Sequence, residues 1–172
     1  MKRRVADESG ITLVELLFVM LILGFVLAGI VNVFVSGTRA SQVANARLAS
    51  QQVMRASLDR LEYEVRCSSG ATVSGGGSTV VLTLPSQCPH LNGTFTWCVS
   101  GGALTRYTGS SCSGTGEVFM QNVTSATPFT LLSPVTGQLP RLQIALSVNP
   151  SGGSTSAVAV TDVLTLRNGI RT

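Results

Sequence analysis

Two sets of residues in this sequence have types and spacings that could do chemistry. The first is Ser9-Gly10-Ile11, followed by Glu15 and an uncharged apolar run from Leu16 to Val35. A small-residue processing signal that stands before an apolar segment, rather than behind it, leaves the segment attached when the chain is cut. Cleavage after Gly10 places a new amine on Ile11, four residues from the Glu15 carboxylate. One helical turn apart, the two groups can neutralise each other within a chain or between neighbouring chains. The second set is Cys67, Cys88, Cys98 and Cys112, all beyond the apolar run. An even number of cysteines in a small exported domain reads as two disulfides. Four cysteines allow three pairings, and the intervals favour neighbours, Cys67–Cys88 and Cys98–Cys112.

Other chemistries find little support. Cys88-Pro89-His90 holds the sole histidine, and no Cys-x-x-Cys pair accompanies it, so no zinc site is expected. The same shortage of histidine leaves no Ser-His-Asp triad. Gly75-Gly76-Gly77 lacks the Lys-Ser/Thr of a phosphate loop, and no cofactor is expected. Glu62 and Glu64, two positions apart on a helix, point to different sides and read as solvated charges rather than a paired acid and base. Asn92-Gly93-Thr94 and Asn122-Val123-Thr124 fit the glycosylation acceptor pattern, which chance often produces.

The elements that must position these residues begin with the apolar run. Leu16 to Val35 is twenty residues with Asn32 as the one strongly polar member. That matches the roughly 20 residues a helix needs to cross a hydrocarbon core. Glu15 at its edge costs on the order of 2.5–3.5 kcal/mol on insertion scales, so it needs a partner and a purpose. Lys2, Arg3 and Arg4 before the run favour an N-in, C-out single-pass orientation. From Thr38 to Arg66 there is neither proline nor glycine, and Met54, Leu58, Leu61 and Val65 step by four, three and four. Val43, Ala44 and Leu48 extend that stripe upstream, giving an amphipathic continuation with its apolar face on a domain. A helix continuous from Ile11 to Arg66 spans about 84 Å at 1.5 Å per residue, with Gly24, Gly29 and Gly37 as its weak points.

Beyond Ser68-Ser69-Gly70 and a flexible loop over Ser74 to Ser78, the period changes to two. Strands are expected at Thr79–Leu84, Thr94–Ser100, Ala103–Thr108, Val118–Val123, Phe129–Leu132, Leu139–Val148 and Ala157–Leu166, with Gly101-Gly102 as a two-residue hairpin turn. The fold class is α+β, a long N-terminal helix on an antiparallel sheet of about four to six strands. The divisions are 1–10, 11–35, 36–66 and 67–172.

Position, glycine, spacing and an acid at the membrane edge make Ser9-Gly10-Ile11…Glu15 resemble the class III signal peptide of the type IV pilin superfamily. The resemblance implies cleavage after Gly10 by a prepilin peptidase, methylation of Ile11, and a role for Glu15 in filament assembly. It also implies the partners: the peptidase, other pilin or pseudopilin subunits, the membrane platform of the assembly machine, and lipid. Ile11 stands where phenylalanine is commoner in the family, and Asn32 lies near a customary proline. The hairpin from Phe95 to Arg106, with Leu104-Thr105-Arg106 after its glycines, and the stretch Val163 to Asn168 resemble J-type pseudopilins and PilW-type minor pilins. The expected function is a structural subunit without catalytic activity, in the cell membrane and then in a surface or periplasmic filament. A membrane-anchored binding module that never polymerises is the alternative. DNA binding is possible for such proteins but not favoured, because nine arginines against six acids beyond Gly10 are scattered singly rather than clustered.

Overall fold

The structure, a computed structural model, describes residues 12–88, 91–132, 138–150 and 157–169. It divides into two compact units, one ending at Gln42 and one beginning at Val43. The described part of the first unit is helix alone, part of α1 (Leu13–Cys67). Its apolar side chains stand exposed, from Leu13 through Phe34. By length and composition this helix can cross a membrane. Gly24, Gly29 and Gly37 do not interrupt it. Each costs about 1 kcal/mol against alanine in a helix interior in water.

In the second unit the C-terminal part of α1 packs on two antiparallel sheets. The first runs β1 (Gly70–Ser74), β2 (Thr79–Leu84), β3 (Gly93–Ser100), β4 (Ala103–Thr108) and β5 (Glu117–Gln121), in that spatial order. The second runs β6 (Phe129–Leu132), β7 (Arg141–Val148) and β8 (Val158–Thr165). Where four to six strands are expected, the described residues form eight, in sheets of five and three. β1 escapes pattern reading because its five residues carry only Ala71 and Val73 as apolar members between Gly70 and Ser74. The Gly/Ser segment after it is a single 3-10 turn over Gly75–Gly77, not a flexible loop. Gly77 has φ +104, and a Cβ there would stand 2.8 Å from the Phe129 carbonyl oxygen, so the turn seats directly against the β6 backbone.

Gly101 and Gly102 have φ of 58° and 74°, the left-handed pair a two-residue hairpin demands, and they join β3 to β4 with Ser100 opposite Ala103. The two sheets meet at a corner. Val123 bridges Val148, the Thr124 N–H donates to the Ser147 carbonyl at 2.8 Å, and the Asn149 N–H to the Asn122 carbonyl at 2.9 Å. One hydrophobic core runs through helix and both sheets, with Met54, Leu61 and Val65 meeting Val80, Trp97 and Leu104 of the first sheet and Phe129, Leu142 and Ile144 of the second. The upstream stripe differs from expectation. Val43 is half-buried, Ala44 is exposed, and Leu48 keeps 58% of its surface. Continuous burial on the helix starts only at Met54.

Candidate functional site

At the head of α1, Thr12 caps the helix. The Glu15 N–H donates to the Thr12 carbonyl at 3.0 Å with Thr12 Oγ1 at 3.4 Å, and the Leu16 N–H donates to the same carbonyl at 3.2 Å. Thr12-Leu13-Val14-Glu15 has the spacing of a capping box, a signal the sequence offered and pattern reading for the membrane run passed over. Glu15 thus sits in the first turn, where unpaired N–H groups and the helix dipole favour a negative charge. Its neighbours Val14 and Leu16 are exposed apolar groups. Among the described residues Glu15 has no ion-pair partner. Its environment supplies a partial positive charge from the backbone and leaves room for a full one from elsewhere. Gly10 and Ile11, the expected cleavage and methylation positions, lie outside the described residues.

A second charged centre lies inside the folded domain. Glu64 is fully buried, contrary to its reading as a solvated charge. Its Oε2 accepts the indole N–H of Trp97 at 2.8 Å. Its Oε1 faces Arg106 Nε at 2.8 Å and accepts from Arg60 Nε at 3.1 Å. Arg106 keeps only 10% of its side-chain surface and lies over the Phe95 ring at 3.9 Å. The register explains the convergence: Trp97 on β3 is directly opposite Arg106 on β4, so both reach the same face toward α1. The Arg106 Nε–H is not aligned on the carboxylate, so the contact is an ion pair, and Nη2 has no hydrogen-bond partner among the described residues. Trp97 in turn packs its ring on Phe119 at 4.7 Å between centroids. Burial of a carboxylate is tolerable only with such partners. Glu62 behaves as expected of a surface group, pairing with Arg66 one turn away.

This arrangement holds a helix on a hairpin and has no feature of an acid–base pair. The carboxylate is enclosed and both of its oxygens are occupied. The signal that would have revealed it is position 64 itself. It falls three residues after Leu61, on the stripe Met54, Ser57, Leu61 that α1 buries. Ser57 on the same stripe sets its hydroxyl between the carbonyls of Val53 (2.8 Å) and Phe119 (3.1 Å), tying α1 to β5.

The end of α1 is held more firmly still. The structure bonds Cys67 to Cys88 and Cys98 to Cys112, with Cα separations of 5.9 and 6.1 Å. The last four helical carbonyls, which have no partner within a helix, are all satisfied. The Ser68 N–H donates to the Glu64 carbonyl at 2.9 Å and its hydroxyl to that of Val65 at 2.7 Å. The Arg167 N–H donates to the Arg66 carbonyl at 3.1 Å, and Asn168 Nδ2 to that of Cys67 at 2.8 Å. Replacing Cys67 and Cys88 together by serine is expected to cost about 2–4 kcal/mol. Urea unfolding of the purified chain, followed by the fluorescence of its single tryptophan, measures this. An unchanged midpoint would show that the capping bonds alone hold the helix end.

Among the described residues no group of His, Cys, Asp or Glu is arranged to hold a metal ion, and His90 lies outside them. Residues 6–31 match the family described as Prokaryotic N-terminal methylation motif. No curated protein and no solved structure matches the chain. The matched motif belongs to structural pilin subunits and not to enzymes. The motif covers 26 of the 172 residues, and the long helix behind it with antiparallel sheets packed on that helix has the architecture that the resemblance to the type IV pilin superfamily implies.

Proposed function

We propose that the protein is a minor pilin or pseudopilin. In this reading residues 1–10 are a leader removed by prepilin peptidase after Gly10, and Ile11 becomes the methylated N-terminus. Residues 11–35 anchor the chain in the membrane and then assemble, 36–66 continue the helix, and 67–172 form the exported domain. The observation that carries it is the methylation motif over residues 6–31 leading into an exposed apolar helix with Glu15 in its first turn. An unpaired carboxylate at the head of an apolar helix is costly in lipid, and the amine of a neighbouring subunit would neutralise it. Assembly with other pilin subunits, on a membrane platform, gives that amine a source.

The minor-subunit assignment rests on the hairpin from Phe95 to Arg106, which resembles those of J-type and PilW-type subunits. In this chain its arginine serves the interior, pairing with Glu64. That removes Arg106 from any basic surface and supports a filament role over DNA binding. The test is the intact mass and N-terminal sequence of the protein in membrane fractions. A methylated N-terminus at Ile11 is expected. Retention of the residues before Gly10, or a cut beyond the helix, would favour a plain membrane-anchored module. In sheared filaments the chain should be a small fraction of the subunits, and a dominant band would make it a major pilin.

A further inference from the structure

β8 is the outer strand of the second sheet, Val158-Ala159-Val160-Thr161-Asp162-Val163-Leu164-Thr165. Its residues are mostly β-branched or apolar, with one charge, Asp162, and neither proline nor glycine. β7 pairs with it along its whole length, and among the described residues no strand lies on its other side. An open edge of this composition is a template for pairing with another chain.

Asp162 stands where the alternation of the strand calls for an apolar residue. The register sets it opposite Ile144, on the side of the sheet where Leu164 is buried and Val158 and Val160 pack half-buried against the core. Its side chain is nevertheless exposed, and its Oδ1 accepts the N–H of Val163 at 2.7 Å. That N–H belongs to the open edge. The Leu166 N–H donates to the Pro140 carbonyl across the ladder. By the antiparallel alternation, Leu164 and Asp162 therefore bond toward β7, while Val163, Thr161 and Ala159 aim their N–H groups outward. The carboxylate thus turns from the core side to the rim and occupies a donor that an added strand would need.

We infer that Asp162 keeps the β8 edge from pairing with the β8 edge of a second copy of this chain. Identical edges can pair antiparallel about a two-fold axis, each supplying the same donors and acceptors. Val163, with 45% of its surface exposed, would then lie beside its own counterpart. Asp162 opposes this pairing in two ways. The Val163 N–H would have to exchange a charged acceptor for a neutral one. A pairing centred on Val163 would also set each carboxylate opposite Leu164 of the other copy, an apolar neighbour that cannot solvate it. The inference rests on the second sheet and not on the pilin reading.

The full chain in detergent micelles tests it by sedimentation, with benzoylphenylalanine in place of the exposed Thr161 as a light-activated reporter. Asp162→Val should raise dimer formation roughly ten- to hundredfold, the range of a hydrogen bond to a charged group. Irradiation should then link position 161 to a second copy, and the chain with Asp162 intact should give no such product. A valine variant that sediments as the wild type does, or that associates without cross-links from position 161, would overturn the proposal. Unfolding followed by Trp97 emission reports whether that variant is folded. A second measurement needs no substitution at 162. In the wild-type chain the Val163 amide should exchange with solvent deuterium roughly tenfold more slowly than those of Ala159 and Thr161, after correction for intrinsic rates. Equal exchange along the edge would show that Asp162 does not close it.

Discussion

Glu64→Ala is expected to destabilise the folded domain by roughly 3–5 kcal/mol, because it strands a buried guanidinium. Arg106 keeps a tenth of its surface and has one carboxylate to face, which it shares with Arg60. Removing that carboxylate also frees the Trp97 indole N–H in a site closed to solvent. Thermal or urea unfolding read through Trp97 emission measures the loss, and a cost below about 1 kcal/mol would mean that the cluster is energetically idle. The companion experiment replaces both charges. Glu64→Leu with Arg106→Met should recover much of the stability, since the desolvation of two ions disappears with them. If the double variant is as unstable as Glu64→Ala, packing rather than charge governs the site.

Glu15→Ala is expected to leave processing and membrane insertion intact and to abolish incorporation into filaments. The capping hydrogen bond from the residue-15 N–H to Thr12 involves the backbone and survives the substitution. Helix formation at the N-terminus is therefore preserved, and what is lost is a charge at the edge of a hydrocarbon layer. Insertion itself should become easier, as the carboxylate is the costly group. Immunoblots of sheared filaments against membrane fractions decide between outcomes. Wild-type amounts of the variant in filaments would remove Glu15 from assembly.

Legibility in the sequence tracked how local each signal was. The leader, the apolar run and the Gly101-Gly102 hairpin are read from adjacent residues. The hairpin's ends at Ser100 and Ala103 fall where the alternation predicts them. β7 shows the same alternation in burial that Leu142, Ile144, Leu146 and Val148 show in sequence. β1 has too few apolar residues to announce itself, and its strand character comes from pairing with β2. The charge of Glu64 points to a solvated group, whereas its place on the stripe Met54, Ser57 and Leu61 buries it. Its partners Trp97 and Arg106 come from strands 33 and 42 residues away, and only the register of β3 on β4 brings them together. Leu48 misled in the opposite direction: it keeps the helical period, yet the sheet does not reach it.

The bond from Asn168 to the Cys67 carbonyl joins residues 101 apart in sequence, and this has a consequence for the order of events during export. In the N-in, C-out orientation proposed above, the end of α1 is exported well before the residues that finish its last turn. Until position 168 has crossed, two carbonyls at the helix end face water, and the closing contact is among the longest-range in the domain. Loop closure over such a span is slow relative to forming the β3–β4 hairpin. In that orientation the domain completes its fold after translocation rather than during it. Truncation just before Arg167 should yield a chain that inserts normally, folds late and incompletely, and is removed by proteases on the outer side.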